Sequence, residues 1–70
     1  MKEVDARGYS CPEPVIFTKR ALASDPQEIV VLVDNDTSKI NVERFLRVAG
    51  YHVQITHDQP NEYILKGTKK

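Results

Sequence analysis

The chain has a single cysteine, no tryptophan, two phenylalanines and three glycines in 70 residues, and no excess charge of either sign. Cys11 alone cannot close a disulfide within the chain, and with only His52 and His57 beside it no cysteine–histidine zinc cage can be assembled. Any disulfide or metal thiolate would need a second molecule, so neither a metal nor a cofactor is expected. Long apolar runs are missing too: the longest, Ile29 to Val33, is far shorter than the roughly 20 residues a membrane-spanning helix needs. The segment Met1-Lys2-Glu3-Val4-Asp5 has no apolar stretch and no small-residue cleavage site, which gives a cytoplasmic location as the expectation and no membrane partner. Ten basic residues balance ten acidic ones. The basic footprint of a nucleic-acid binder is therefore weak, and direct nucleic-acid binding is not expected. Seventy residues make one domain, residues 1–70. Ordering them costs on the order of 100 kcal/mol at about 1.5 kcal/mol each, which leaves no chain for a second core or a deep pocket.

What the chain does have is a regular alternation of strand and helix signals. Residues 3–6 read as a short strand ended by Arg7-Gly8, and Glu28-Ile-Val-Val-Leu-Val-Asp34 as a central strand, because a β-branched run this short does not make a helix. Between them a helix runs from Pro12 to about Ala23 and stops before Ser24-Asp25-Pro26. Prolines in its first turn cost little, since the first four amides of a helix have no intrahelical acceptor. Asp36 or Thr37 is expected to cap a second helix whose apolar stripe is Ile40, Val42, Phe45, Leu46 and Ala49, with Gly50 just past its end. Tyr51, Val53 and Ile55 alternate with polar residues in a third strand, Asp58-Gln-Pro-Asn61 turns, and Glu62-Tyr-Ile-Leu-Lys66 returns as a fourth; residues 67–70 read as a flexible tail. The order β-α-β-α-β-β, with right-handed crossovers stepping the same way, puts both helices on one face of the sheet in an α/β (α+β) two-layer sandwich. Both helix starts then lie at the carboxyl edge of the parallel strands, so Cys11 and the Asp34, Asn35, Asp36, Thr37 turn are expected to be neighbours; Asp34, Asn35 and Asp36 read first as turn and cap residues, with a site role resting on that adjacency.

Cys11 stands at the head of the first helix, in Ser10-Cys11-Pro12-Glu13-Pro14. The positive end of a helix dipole lowers a thiol pKa below about 8.5, and the thiolate is the nucleophile. Against that, Pro12 and Pro14 remove two amide donors and Glu13 places a like charge nearby, so a modest lowering is expected. A thiol that must both take and release a group works best with its pKa near ambient pH. The other reading is a small buried hydrophobe, the commonest fate of a free cysteine; a polar turn between a serine and two prolines speaks against it. A redox dithiol has no resolving cysteine here.

The run Asp5-Ala-Arg-Gly8-Tyr-Ser-Cys11-Pro12-Glu-Pro14-Val, the following Lys19-Arg20, the Val33-Asp34-Asn35 turn and Asn41-Val42-Glu43-Arg44-Phe45 with Gly50-Tyr51 resemble the TusA/SirA/YedF-like sulfur carriers over nearly the whole chain. The resemblance implies a four-stranded mixed sheet in the order 1-2-4-3. It also implies that Cys11 takes sulfur as a persulfide from a cysteine desulfurase or rhodanese-like donor and relays it to an acceptor protein, a sulfurtransferase-like role. Asp5 and Gly8 would shape the turn, and Pro12 and Pro14 would hold the helix start. The second half is most similar to the YedF-like branch, some members of which are tied to selenium metabolism, whereas Ser10 departs from the arginine frequent in the tRNA-thiolation branch.

The remaining residues divide between packing and contact. On a helical wheel Pro14, Val15, Phe17, Thr18, Ala21 and Leu22 share the inner arc, while Ile16, Lys19, Arg20 and Ala23 share the outer one. Ile16 with Lys19 and Arg20 therefore forms a candidate partner-docking face, one apolar contact beside a basic pair. Arg7 is expected to pair with Asp5 or Asp34. Tyr9 is either a packing residue or a cover for the sulfur. His52 and His57, five apart on a strand, are expected on opposite faces. The alternative to a carrier is a non-catalytic binding or regulatory module, RNA- or protein-binding, such as the N-terminal half of a selenium-metabolism protein.

Overall fold

The computed structural model describes residues 2–10 and 12–70 and contains six elements: β1 (Lys2–Asp5), α1 (Glu13–Leu22), β2 (Glu28–Val33), α2 (Asp36–Val48), β3 (Tyr51–Gln59) and β4 (Glu62–Lys69). The strands form one mixed sheet in the order β1-β2-β4-β3, with β1 and β2 parallel and the other two pairings antiparallel. The expected two-layer fold and strand order are those observed.

The β2 run sets the layers. Ile29, Val31 and Val33 are fully buried against the helices, while Val30 and Leu32 sit half-buried on the other face. Val42 and Leu46 from α2, Leu65 from β4 and Ala6 just past β1 complete the most deeply buried apolar set, and Val15, Phe17 and Leu22 of α1 pack against it. Burial of this kind, at about 25 cal/mol per Å² of apolar surface, offsets the ordering of the chain. Helix α1 lies as its periodicity implies: Pro14, Thr18 and Ala21 are buried. Thr18 tolerates full burial because its hydroxyl donates to the Pro14 carbonyl, 2.8 Å away. The helix itself is Glu13–Leu22 with Pro12 as N-cap, one residue later than expected.

Helix α2 departs from its expectation at both ends of the argument. Of the residues expected to turn and cap here, Asn35 is the N-cap, one residue before Asp36, and its side chain accepts from the Ser38 amide at 2.8 Å. Its buried line is Ser38, Val42 and Leu46, one residue per turn. Ile40, two residues from both Ser38 and Val42, is thereby turned outward and is 45% exposed; Ala49 is exposed as well, while Phe45 stays half-buried. The buried line differs from the apolar stripe because one of its three positions is a serine, Ser38.

A bulge changes the far strand. Ile55 opposes Leu65, but His57 opposes Ile64, so Thr56 is the extra residue. His52 pairs with Thr68 and His57 with Ile64, and both partners lie on the side of β4 away from its buried residues Tyr63, Leu65 and Gly67. The two histidines thus share the open face instead of facing opposite ways, and His57 Nε2 stands 3.6 Å from Glu62 Oε2. Nor are residues 67–69 a tail: Gly67 and Thr68 continue the β2 and β3 ladders, Lys69 opposes Tyr51, its amide donates to Gln27 at 2.8 Å, and Lys70 donates to Gly50 at 3.1 Å. Gly67 signals close approach here. A Cβ on it would come within 3.0 Å of Ile29 Cγ2 and meet Leu46 and Tyr51.

Candidate functional site

Three segments meet at the carboxyl edge of β1 and β2: the loop of residues 6–10, the start of α1 and the β2–α2 turn. The loop begins where Ala6, fully buried, donates its amide to Leu32 and extends the parallel ladder by one residue. Arg7 then folds back on Asp5, with Nε and Nη2 donating at 2.9 and 2.8 Å and its backbone amide at 3.2 Å. These bonds favour the carboxylate and hold Asp5 below its ordinary 3.8, at about 2. Of the two partners expected for Arg7, the structure selects Asp5.

Gly8 has φ +85°, a left-handed conformation, and nothing lies within 4 Å of where a Cβ would stand. Glycine is required there by the backbone alone. The turn is closed by Tyr9, whose amide donates to Ala6 at 3.3 Å. The Tyr9 ring meets Phe17 of α1 edge-on, centroids 4.9 Å apart, and stays 49% exposed. At the helix start, the Glu13 amide donates to Ser10 at 3.0 Å and the Ile16 amide to Pro12 at 3.1 Å, while Pro14 is buried at the second helical position. Pro12 contributes no side-chain cap. Cys11, the expected nucleophile, lies outside the described residues; the segments on either side of it are defined by these bonds.

The neighbouring turn divides into two halves. Asp34 Oδ2 accepts from the Gly8 amide at 2.7 Å, and Asn35 Nδ2 donates to the Tyr9 carbonyl at 3.2 Å and to Asp34 Oδ1 at 3.2 Å. Asp34 and Asn35 therefore reach the loop that precedes Cys11. Asp36 does not: it accepts from the Tyr63 hydroxyl of β4, which raises the Tyr63 pKa. Lys39 sits 4.5 Å above the Tyr63 ring and 3.6 Å from Asp58, closing that group on the other side of α2. Thr37 is exposed.

On α1, Ile16 is 39% exposed, and Glu13, Lys19 and Arg20 are exposed. Neither Lys19 nor Arg20 has an ion-pair partner among the described residues. Among those residues no group of three or more His, Cys, Asp or Glu could hold a metal, and no helix is long and apolar enough to cross a membrane. Sequence reasoning missed the Tyr9–Phe17 stack, the Tyr63–Asp36 bond and the hold of Asn35 on the Tyr9 carbonyl. The capping half of the Asn35 role was expected, since asparagine caps as well as aspartate does.

The family model for sulfurtransferase TusA matches residues 2–69. The chain belongs to the TusA family. A candidate sulfur carrier protein of Methanocaldococcus jannaschii is 32% identical over 65 residues, which cover 90% of this chain and 87% of that protein. The crystal structure of the SirA-like protein from Desulfitobacterium hafniense superposes with a TM-score of 0.83 at 32% identity, covering 97% of this chain and 96% of that one. This TusA-family chain thus shares its architecture with the Desulfitobacterium protein over nearly its whole length.

Proposed function

We propose that the protein is a small sulfur carrier in which Cys11 holds the cargo as a persulfide. The observation that carries this reading is the family match across residues 2–69, which spans the lone cysteine between the Gly8 turn and the proline-bounded start of α1. The Cys11 thiolate attacks the terminal sulfur of a donor persulfide; a new S–S bond forms, the donor S–S bond breaks, and the donor thiolate leaves with the electron pair. A nucleophile on the acceptor protein repeats the exchange, and the Cys11 thiolate is the leaving group. No external oxidant or reductant enters the balance. The donor is a cysteine desulfurase or a rhodanese-like protein, and the docking face is Ile16 with Lys19 and Arg20.

Incubation with a cysteine desulfurase and cysteine is expected to add the mass of one sulfur atom. Reductant should remove it, and Cys11→Ser should not show it. No gain with desulfurase or rhodanese-type donors would overturn the carrier reading and leave a binding or regulatory module in its place.

A further inference from the structure

The Asn35 side chain makes two kinds of bond at once. Its oxygen caps α2 through the Ser38 amide at 2.8 Å, and its nitrogen holds the Tyr9 carbonyl at 3.2 Å and Asp34 Oδ1 at 3.2 Å. Asp34 in turn holds the Gly8 amide through its other oxygen, at 2.7 Å. One asparagine therefore ties the end of β2, the first turn of α2 and the loop leading to Cys11 into a single hydrogen-bonded unit. Without these bonds, among the described residues the loop of residues 7–10 is fixed by its own turn, the Asp5–Arg7 pair, the Ser10 carbonyl and the exposed Tyr9–Phe17 stack.

We infer that Asn35 is the positioning residue of the carrier site, acting through the Tyr9 carbonyl and Asp34 to hold the segment before Cys11 in the arrangement that meets a sulfur donor. The inference rests on the carrier reading for its functional half and on the hydrogen bonds alone for its structural half. An amide side chain suits the position because it carries two separate polar atoms, Oδ1 to accept from Ser38 and Nδ2 to donate to Tyr9 and Asp34. Serine adds no charge but is shorter and has a single oxygen, which when placed to accept from Ser38 leaves no second atom to span to the Tyr9 carbonyl. Asn35→Ser therefore removes the donor while keeping a favoured N-cap residue.

A single neutral hydrogen bond shifts a local two-state equilibrium by about fivefold. Amide exchange at Gly8 should accordingly quicken by about fivefold in Asn35→Ser, while Val31 in the core of β2 keeps its wild-type rate. With a desulfurase as donor, KM for the carrier should rise, by up to about fivefold, with kcat within about twofold, since a smaller share of molecules is competent to dock. Asn35→Thr should behave in the same way. Unchanged exchange at Gly8 in both variants would overturn the inference, and so would quickened exchange with unchanged KM, which would make Asn35 structural only. If the wild-type chain takes up no sulfur, the carrier reading fails and the positioning role with it, while the exchange at Gly8 still reports whether the clamp exists.

Discussion

Around the site, what a residue does follows from how many partners it must satisfy. Asp5 has one, Arg7, and the pair is more than half exposed, so its Coulombic strength is screened by salt and modest. Its signature is in the pH dependence. A carboxyl held at about 2 when folded and at its ordinary 3.8 when unfolded stabilises the fold above pH 4, and that contribution is lost as pH falls from 4 towards 2. Urea unfolding followed from pH 5 to pH 2 should show the wild type losing stability more steeply than Asp5→Asn below pH 4, with the difference shrinking at high salt. Equal slopes would mean that the Asp5–Arg7 bond does not persist in solution. Asp5 and Gly8 were legible because a local pair and a left-handed turn are short-range facts. Asn35 was legible as a turn residue but not as a clamp, because its partner Tyr9 is 26 positions away.

For the elements, the sequence spoke most clearly where one face is buried by neighbours close in the chain. The period of α1 placed Ala21 inside and Ile16 outside, and the structure agrees, at 7% and 39% exposure. Ile16→Asp should change stability by no more than about 0.5 kcal/mol, since it is an exposed substitution and a carboxylate near a helix start is favoured. Ala21→Asp should unfold the domain, because an unpaired buried charge costs several kcal/mol and a chain this small has about 3–5 kcal/mol to lose. Thermal denaturation of the two variants checks this; similar loss in both would place Ile16 in the core and remove it from any docking face. By contrast, the outward turn of Ile40 depends on which faces β2, β3 and β4 offer to α2, and the bulge at Thr56 exists only in the pairing of β3 with β4. Neither has a counterpart in the residues of its own element.

The molecule as a whole measures about 28 × 21 × 19 Å, which makes ionic strength a useful probe of where a partner lands. The screening length is about 30 Å at 0.01 M salt, so a partner feels every charge on the domain; at 0.15 M it is about 8 Å, and only the charges under the footprint count. With ten charges of each sign there is no monopole to attract anything, and steering must come from a local face. Lys19 and Arg20 are the cations of α1, exposed and beside Ile16. Reversing both to glutamate should slow sulfur loading by about tenfold at low salt and by much less at 0.15 M, with only a small drop in melting temperature, since both stand in the last turn of α1 where negative charge opposes the helix dipole. Net charge changes too, so the control is Lys2→Glu with Lys70→Glu, two exposed positions away from α1 that produce the same total. If the control slows loading as much as the α1 pair at both salt concentrations, the effect belongs to the total charge and the docking face is elsewhere. If neither pair changes the rate at low salt, the donor does not approach over α1, and the turn from Asp34 to Thr37 is the surface left at that edge for it to meet.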